Sequence, residues 1–187
     1  HYYYYFPLGT SVVSVPVVAI FNMAGFDIID YIGIVSYEVY LQIIISALCS
    51  SFTLLLLFLL ARLYLEQNKS LLIATITWFG SSFASTTATA LWSHNFATLF
   101  ALCAIYLGIR SVKYQDYRMW PFLAASLFLG YFCRPTLIIL VPFLIIYIFI
   151  FNKKIAAFIS LLFIFFMIGF IGFNLYEFDQ ILPDYYY

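Results

Sequence analysis

The chain has 187 residues, 66% of them hydrophobic and only 9% charged, with a mean hydropathy of +1.05. Soluble domains carry about 25% charged residues, so this composition excludes a soluble enzyme, a disordered chain and a nucleic-acid binder. Eight basic and eight acidic residues cancel, so the net charge points to no partner and the placement of the charges carries the information.

The runs Tyr2 to Tyr5 and Tyr185 to Tyr187 have the composition of an interfacial aromatic belt. Residues 8–24 are apolar but interrupted by Pro16. Ser14 is placed to cap a helix with Pro16 in its first turn, and Gly25 to end it. Such a helix has about ten residues and a length of about 15 Å, too short for a hydrocarbon core of about 30 Å, so it is expected along the membrane surface. Ser36 and Glu38 suit the N-terminus of the next helix, as cap and as dipole partner.

Val39 to Ala61 is uncharged and long enough to span. Ser70 to Ile109 is a 40-residue stretch without Lys, Arg, Asp or Glu, enough for two spans, with a turn expected between Gly80 and Thr87. Met119 to Cys133, Pro135 to Asn152 and Ile155 to Tyr176 supply three more. The expected fold is all-α, a polytopic transmembrane helical bundle of about six spans plus an N-terminal interfacial helix. Residues 1–38 are read as outer loop and surface helix, and 39–176 as six transmembrane helices, within a single transmembrane domain over 1–187. The first residue is His1, no basic segment precedes an apolar run, and the chain reads as a fragment of a longer protein without a signal peptide.

The charges orient these spans. Segments 62–69, 110–118 and 152–154 hold seven of the eight basic residues, with Glu66 and Asp116 as their acids. The other side holds Asp27, Asp30, Glu38, Glu177, Asp179 and Asp184, and Arg134 as its single base. The positive-inside rule puts the basic segments in the cytoplasm and both ends of the chain outside.

Polar groups within the membrane are costly and mark candidate sites. Arg134 follows a span of 15 residues, about 22 Å, so its guanidinium starts below the outer interface. Pro135 keeps it out of regular helix, and a fixed fork of donors at a bend suits a phosphate, or serves as a snorkelling anchor. His94, in Ala90-Leu91-Trp92-Ser93-His94-Asn95, is expected at the outer end of the third span, where an imidazole can donate to a leaving phosphate or stand as an interfacial residue beside Trp92. Tyr5 and Phe6, before the Pro7-x-Gly9 turn, are candidates to line a sugar or lipid groove, or to feed the surface helix. Cys49, Cys103 and Cys133 lie in apolar runs without metal spacing, and no metal-ligand cluster is visible, so a divalent metal is an open question.

Three segments, YYYYFPLGTSVVSVPVVAIFN at 2–22, LWSHNFATLFALCAIYLGIR at 91–110 and GYFCRPTLIILVPFL at 130–144, resemble the GT-C class of polytopic glycosyltransferases, among them protein O-mannosyltransferases and aminoarabinose transferases, and in particular bacterial members. The resemblance implies transfer of a sugar from a polyprenyl-phosphate-linked donor to an acceptor on the non-cytoplasmic face, in a bacterial inner membrane. It puts His94 in a catalytic role, Arg134, Trp92, Tyr5 and Phe6 in substrate binding, and the general-base acid upstream of His1. The expected partners are the lipid-linked donor, membrane lipid and an acceptor of unknown identity, with no nucleic acid. The alternatives are a transporter or flippase for a lipid-linked glycan, and a non-catalytic membrane assembly subunit.

Overall fold

The computed structural model describes residues 8–25, 35–87, 91 and 93–181. Among them all regular structure is helical: α1 (Gly9–Met23), α2 (Val35–Arg62), α3 (Gln67–Phe79), α4 (Phe83–Thr87), α5 (Ser93–Tyr114), α6 (Trp120–Cys133), a 3-10 turn (Pro135–Ile139), α7 (Leu140–Phe151) and α8 (Lys153–Phe178). Three helices are long and apolar enough to cross a membrane: α2 from Val39, α5 and α8. The others are shorter, α6 reaching 14 residues and α7 12.

The ends of these helices follow local chemistry, with three departures from the expectation. The α1 helix begins at Gly9, and Ser14 lies inside it with its hydroxyl donating back to the Thr10 carbonyl at 2.7 Å, so Ser14 is not a cap. Pro16 is an interior residue for the same reason, while Gly25, at φ +89°, ends the segment as expected. The second departure is at α2, which starts at Val35 and takes Ser36 into its first turn. In the third, the stretch after Ser70 divides unequally. Gly80 closes α3 after 13 residues by donating its N–H to the Ile76 carbonyl, Ser81 bonds back to Thr77, and the short α4 intervenes before the 22-residue α5. Serine hydroxyls that bond to preceding carbonyls compete with helix continuation, so one crossing-length helix forms there.

The contacts divide the chain into two compact units, with the boundary inside α5. In the amino-terminal unit, Gly9–Leu99, α2 packs on α3 and α4. Its buried positions include Ile45, Cys49, Thr53, Ala74 and Trp78, with Trp78 stacked on Phe83 at 6.3 Å. The carboxy-terminal unit begins at Phe100, and its core joins Ala104 and Leu107 of α5, Leu123 and Leu127 of α6, Leu144 and Ile148 of α7, and Ile159 and Phe163 of α8. Gly108 lets α7 approach closely: a Cβ there would stand 3.2 Å from Leu144 Cδ2. Small residues at such crossings are the usual packing device where lipid, not water, is the solvent. Phe165, Leu161 and Ile168 of α8 are about two-thirds exposed, the outward apolar surface that a bilayer covers.

Candidate functional site

The α6 helix ends where the sequence predicts. Proline cannot follow a residue in helical conformation without a clash, and Arg134 accordingly adopts extended backbone, φ −150° and ψ 105°. Its N–H still donates to the Gly130 carbonyl at 2.9 Å, the last bond of α6. Its carbonyl accepts from Leu137 N–H at 3.0 Å, the first bond of the 3-10 turn. Arg134 is therefore the joint between two helical segments, held on both sides by its own backbone, with an exposed side chain.

The α6 and α8 helices run side by side in the same direction. Trp120 stacks on Phe158 at 5.6 Å, Phe128 meets Phe166 at 5.2 Å, and Phe132 meets Phe170 edge-on at 5.3 Å. This ladder brings the α8 segment after Phe170 to the Arg134 end of the unit. Asn174, one turn further on, is fully buried, and neither amide atom has a hydrogen-bond partner among the described residues. A buried, unsatisfied amide costs about 1–3 kcal/mol, more than a structural position ordinarily tolerates. Glu177 and Asp179 follow it, both exposed.

His94 belongs to the amino-terminal unit, in the first turn of α5, and is half-buried. The next residue, Asn95, is fully buried and donates from Nδ2 to Ser46 Oγ of α2 at 3.0 Å. Phe96 and Ala97 are buried after it. The start of α5 is thus pinned to the middle of α2, which fixes the backbone that carries His94. Tyr5, Phe6 and Trp92 lie outside the described residues. His94 and Arg134 fall in different units, and each is described within its own.

Sequence reasoning singled out charge and missed Asn95 and Asn174. The available signal was weaker: a single Asn in each of two mostly apolar helices, where an uncharged amide is still expensive. Among the described residues no group of three His, Cys, Asp or Glu is placed to hold a metal ion.

Crossing-length apolar helices, an outward apolar surface and, among the described residues, charged groups confined to the ends of those helices and the segments between them define an integral membrane protein of the helical class. Residues 33–176 match the dolichyl-phosphate-mannose-protein mannosyltransferase family, and the chain belongs to that family. It is therefore a membrane glycosyltransferase of the GT-C type, as the three quoted segments suggested, in a family that uses lipid-linked sugar donors. No curated protein and no solved structure matches the chain.

Proposed function

We propose that the protein takes part in transferring a sugar from a polyprenyl-phosphate-linked donor to an acceptor on the non-cytoplasmic face of a bacterial inner membrane. Arg134 binds the donor phosphate and His94 assists the departing group. The observation that carries this reading is the Arg134 joint: a guanidinium, a bidentate phosphate ligand, stands on a backbone fixed by bonds to Gly130 and Leu137 at the end of an apolar helix. The family match supports the lipid-phosphate chemistry. The orientation rests on the charge asymmetry, with seven of eight bases in the segments assigned to the cytoplasm.

In the transfer the bond between the anomeric carbon and the phosphate oxygen breaks, an acceptor oxygen takes its place on that carbon, and the acceptor's hydroxyl proton passes to the general-base acid that the resemblance implies. Negative charge develops on the departing phosphate. A guanidinium at a membrane-edge site neutralises it with little screening by water, which is electrostatic stabilisation by a preorganised donor. The proton-donating role is assigned to His94, in the other unit, on the chemistry of its imidazole alone. Tyr5, Phe6 and Trp92 are assigned to the groove for sugar and lipid on their aromatic character alone.

The test is sugar transfer by the full-length protein in membrane vesicles supplied with a polyprenyl-phosphate-linked sugar. Arg134→Ala and His94→Ala should each reduce turnover by about tenfold or more, the scale of losing one charge-stabilising or proton-donating group. Wild-type turnover in both variants would remove these two residues from the site.

A further inference from the structure

The end of the carboxy-terminal unit away from Arg134 carries a feature that sugar transfer does not use. Gln115, Asp116, Tyr117, Arg118, Trp120 and Ile155 line an open recess of about 600 Å³. It lies where α5 ends and α6 and α8 begin, and its lining residue Trp120 stacks on Phe158 of α8. The 14 residues of α6 separate it from Arg134 by about 21 Å.

The segments that form it are strongly basic. Arg110 and Lys113 precede the recess on α5, Arg118 lines it, and Lys153 and Lys154 open α8 just before Ile155. Asp116 is the only acid between residues 110 and 155, and it is already engaged: its Oδ1 accepts from the Arg118 N–H at 3.2 Å and stands 3.8 Å from Arg118 Nε. The Arg118 side chain is 91% exposed despite that contact, so most of its fork remains open. Lys153 rests over the Phe149 ring at 5.6 Å, outside any ion pair among the described residues. Beyond the recess an apolar lane runs along α8, with Phe158, Leu161, Phe165 and Ile168 exposed in succession.

We infer that this recess binds the headgroup of an anionic phospholipid of the bilayer, with the acyl chains along the Phe158–Ile168 lane of α8. The chemistry matches at each level. A phosphodiester pairs with a guanidinium and an ammonium, Tyr117 and Trp120 suit the headgroup level of a membrane, and the lane accepts hydrocarbon. Basic pockets between helices at a membrane surface select anionic headgroups in this way, at about a fivefold gain per base. A free phosphate ion would use the basic residues but not the lane.

The measurement is native mass spectrometry of the detergent-solubilised full-length protein with phosphatidylglycerol or phosphatidylcholine of identical acyl chains. Phosphatidylglycerol should be retained about fivefold or more over phosphatidylcholine. Lys153→Gln with Lys154→Gln, and separately Arg118→Gln, should each lower that preference severalfold, while Lys69→Gln in the amino-terminal unit leaves it unchanged. Because these side chains are exposed, folding is not at risk. The wild-type preference should also fall as salt is raised. Equal retention of the two lipids overturns the inference, as does a preference that survives all three substitutions. Displacement of phosphatidylglycerol by inorganic phosphate would overturn it in favour of a free-phosphate site.

Discussion

Replacing Gly130 tests whether the Arg134 joint is set by packing. Gly130 lies one turn before Arg134 and accepts its N–H. A Cβ at this position would stand 3.3 Å from Leu137 Cδ1, 3.6 Å from Phe100 Cβ and 3.9 Å from the Ala101 backbone nitrogen. In Gly130→Ala the tightest neighbour is the far end of a leucine, which can swing a few tenths of an ångström. The cost is expected below about 1 kcal/mol, since Ala is also the better helix former. Gly130→Val adds two γ-methyls beyond that Cβ. One must press on Leu137 of the 3-10 turn, or on the α5 backbone at residues 100–101, which cannot yield alone. Overpacking of this kind costs about 1–3 kcal/mol. Thermal unfolding in detergent should show Gly130→Ala close to the wild type and Gly130→Val several degrees lower. Sugar transfer by Gly130→Val should fall with it, because displacement of the turn moves Arg134. A Tm for Gly130→Val equal to that of the wild type, or a loss in Gly130→Ala as large as in Gly130→Val, would refute the packing argument.

Asn174→Leu replaces two unsatisfied buried polar atoms by methyls on the same branched skeleton, so stability should be unchanged or higher by about 1–3 kcal/mol, read as detergent Tm; a large fall would mean that the amide is satisfied in the folded protein or that the site has no room for the bulkier methyls. Asn152 caps α8 by accepting from Ile155 N–H at 3.1 Å, and Asn152→Ala should cost about 1 kcal/mol, whereas Asn152→Asp, also a good cap, should retain stability in the same melt.

The termini of α6 illustrate how far local rules reach. The end at Cys133 follows from Pro135, and the structure stops α6 there. The α8 helix extends two residues past each end of its uncharged run, because Asn152 caps it and Lys153 and Lys154 are good helix formers outside the lipid-compatible segment. Ser14 misled because serine is favoured at caps, yet its hydroxyl can equally bond to a carbonyl four residues back, as Ser14 does to Thr10, and the two patterns look alike in sequence.

The sequence by itself determined the solvent of this protein, its helical class and the break at Arg134, because hydropathy, charge placement and the stereochemistry of proline act over a few residues. Its three segments also pointed to the glycosyltransferase class that the family match bears out. Only the tertiary structure decided that Asn95 reaches Ser46 across 49 positions, that Asn174 is buried without a partner among the described residues beside the end of the α6–α8 ladder, and that Arg118 and Ile155 wall one recess. Those facts depend on which helix faces meet, and an apolar helix with little amphipathic bias carries almost no local record of the face it turns to its neighbour.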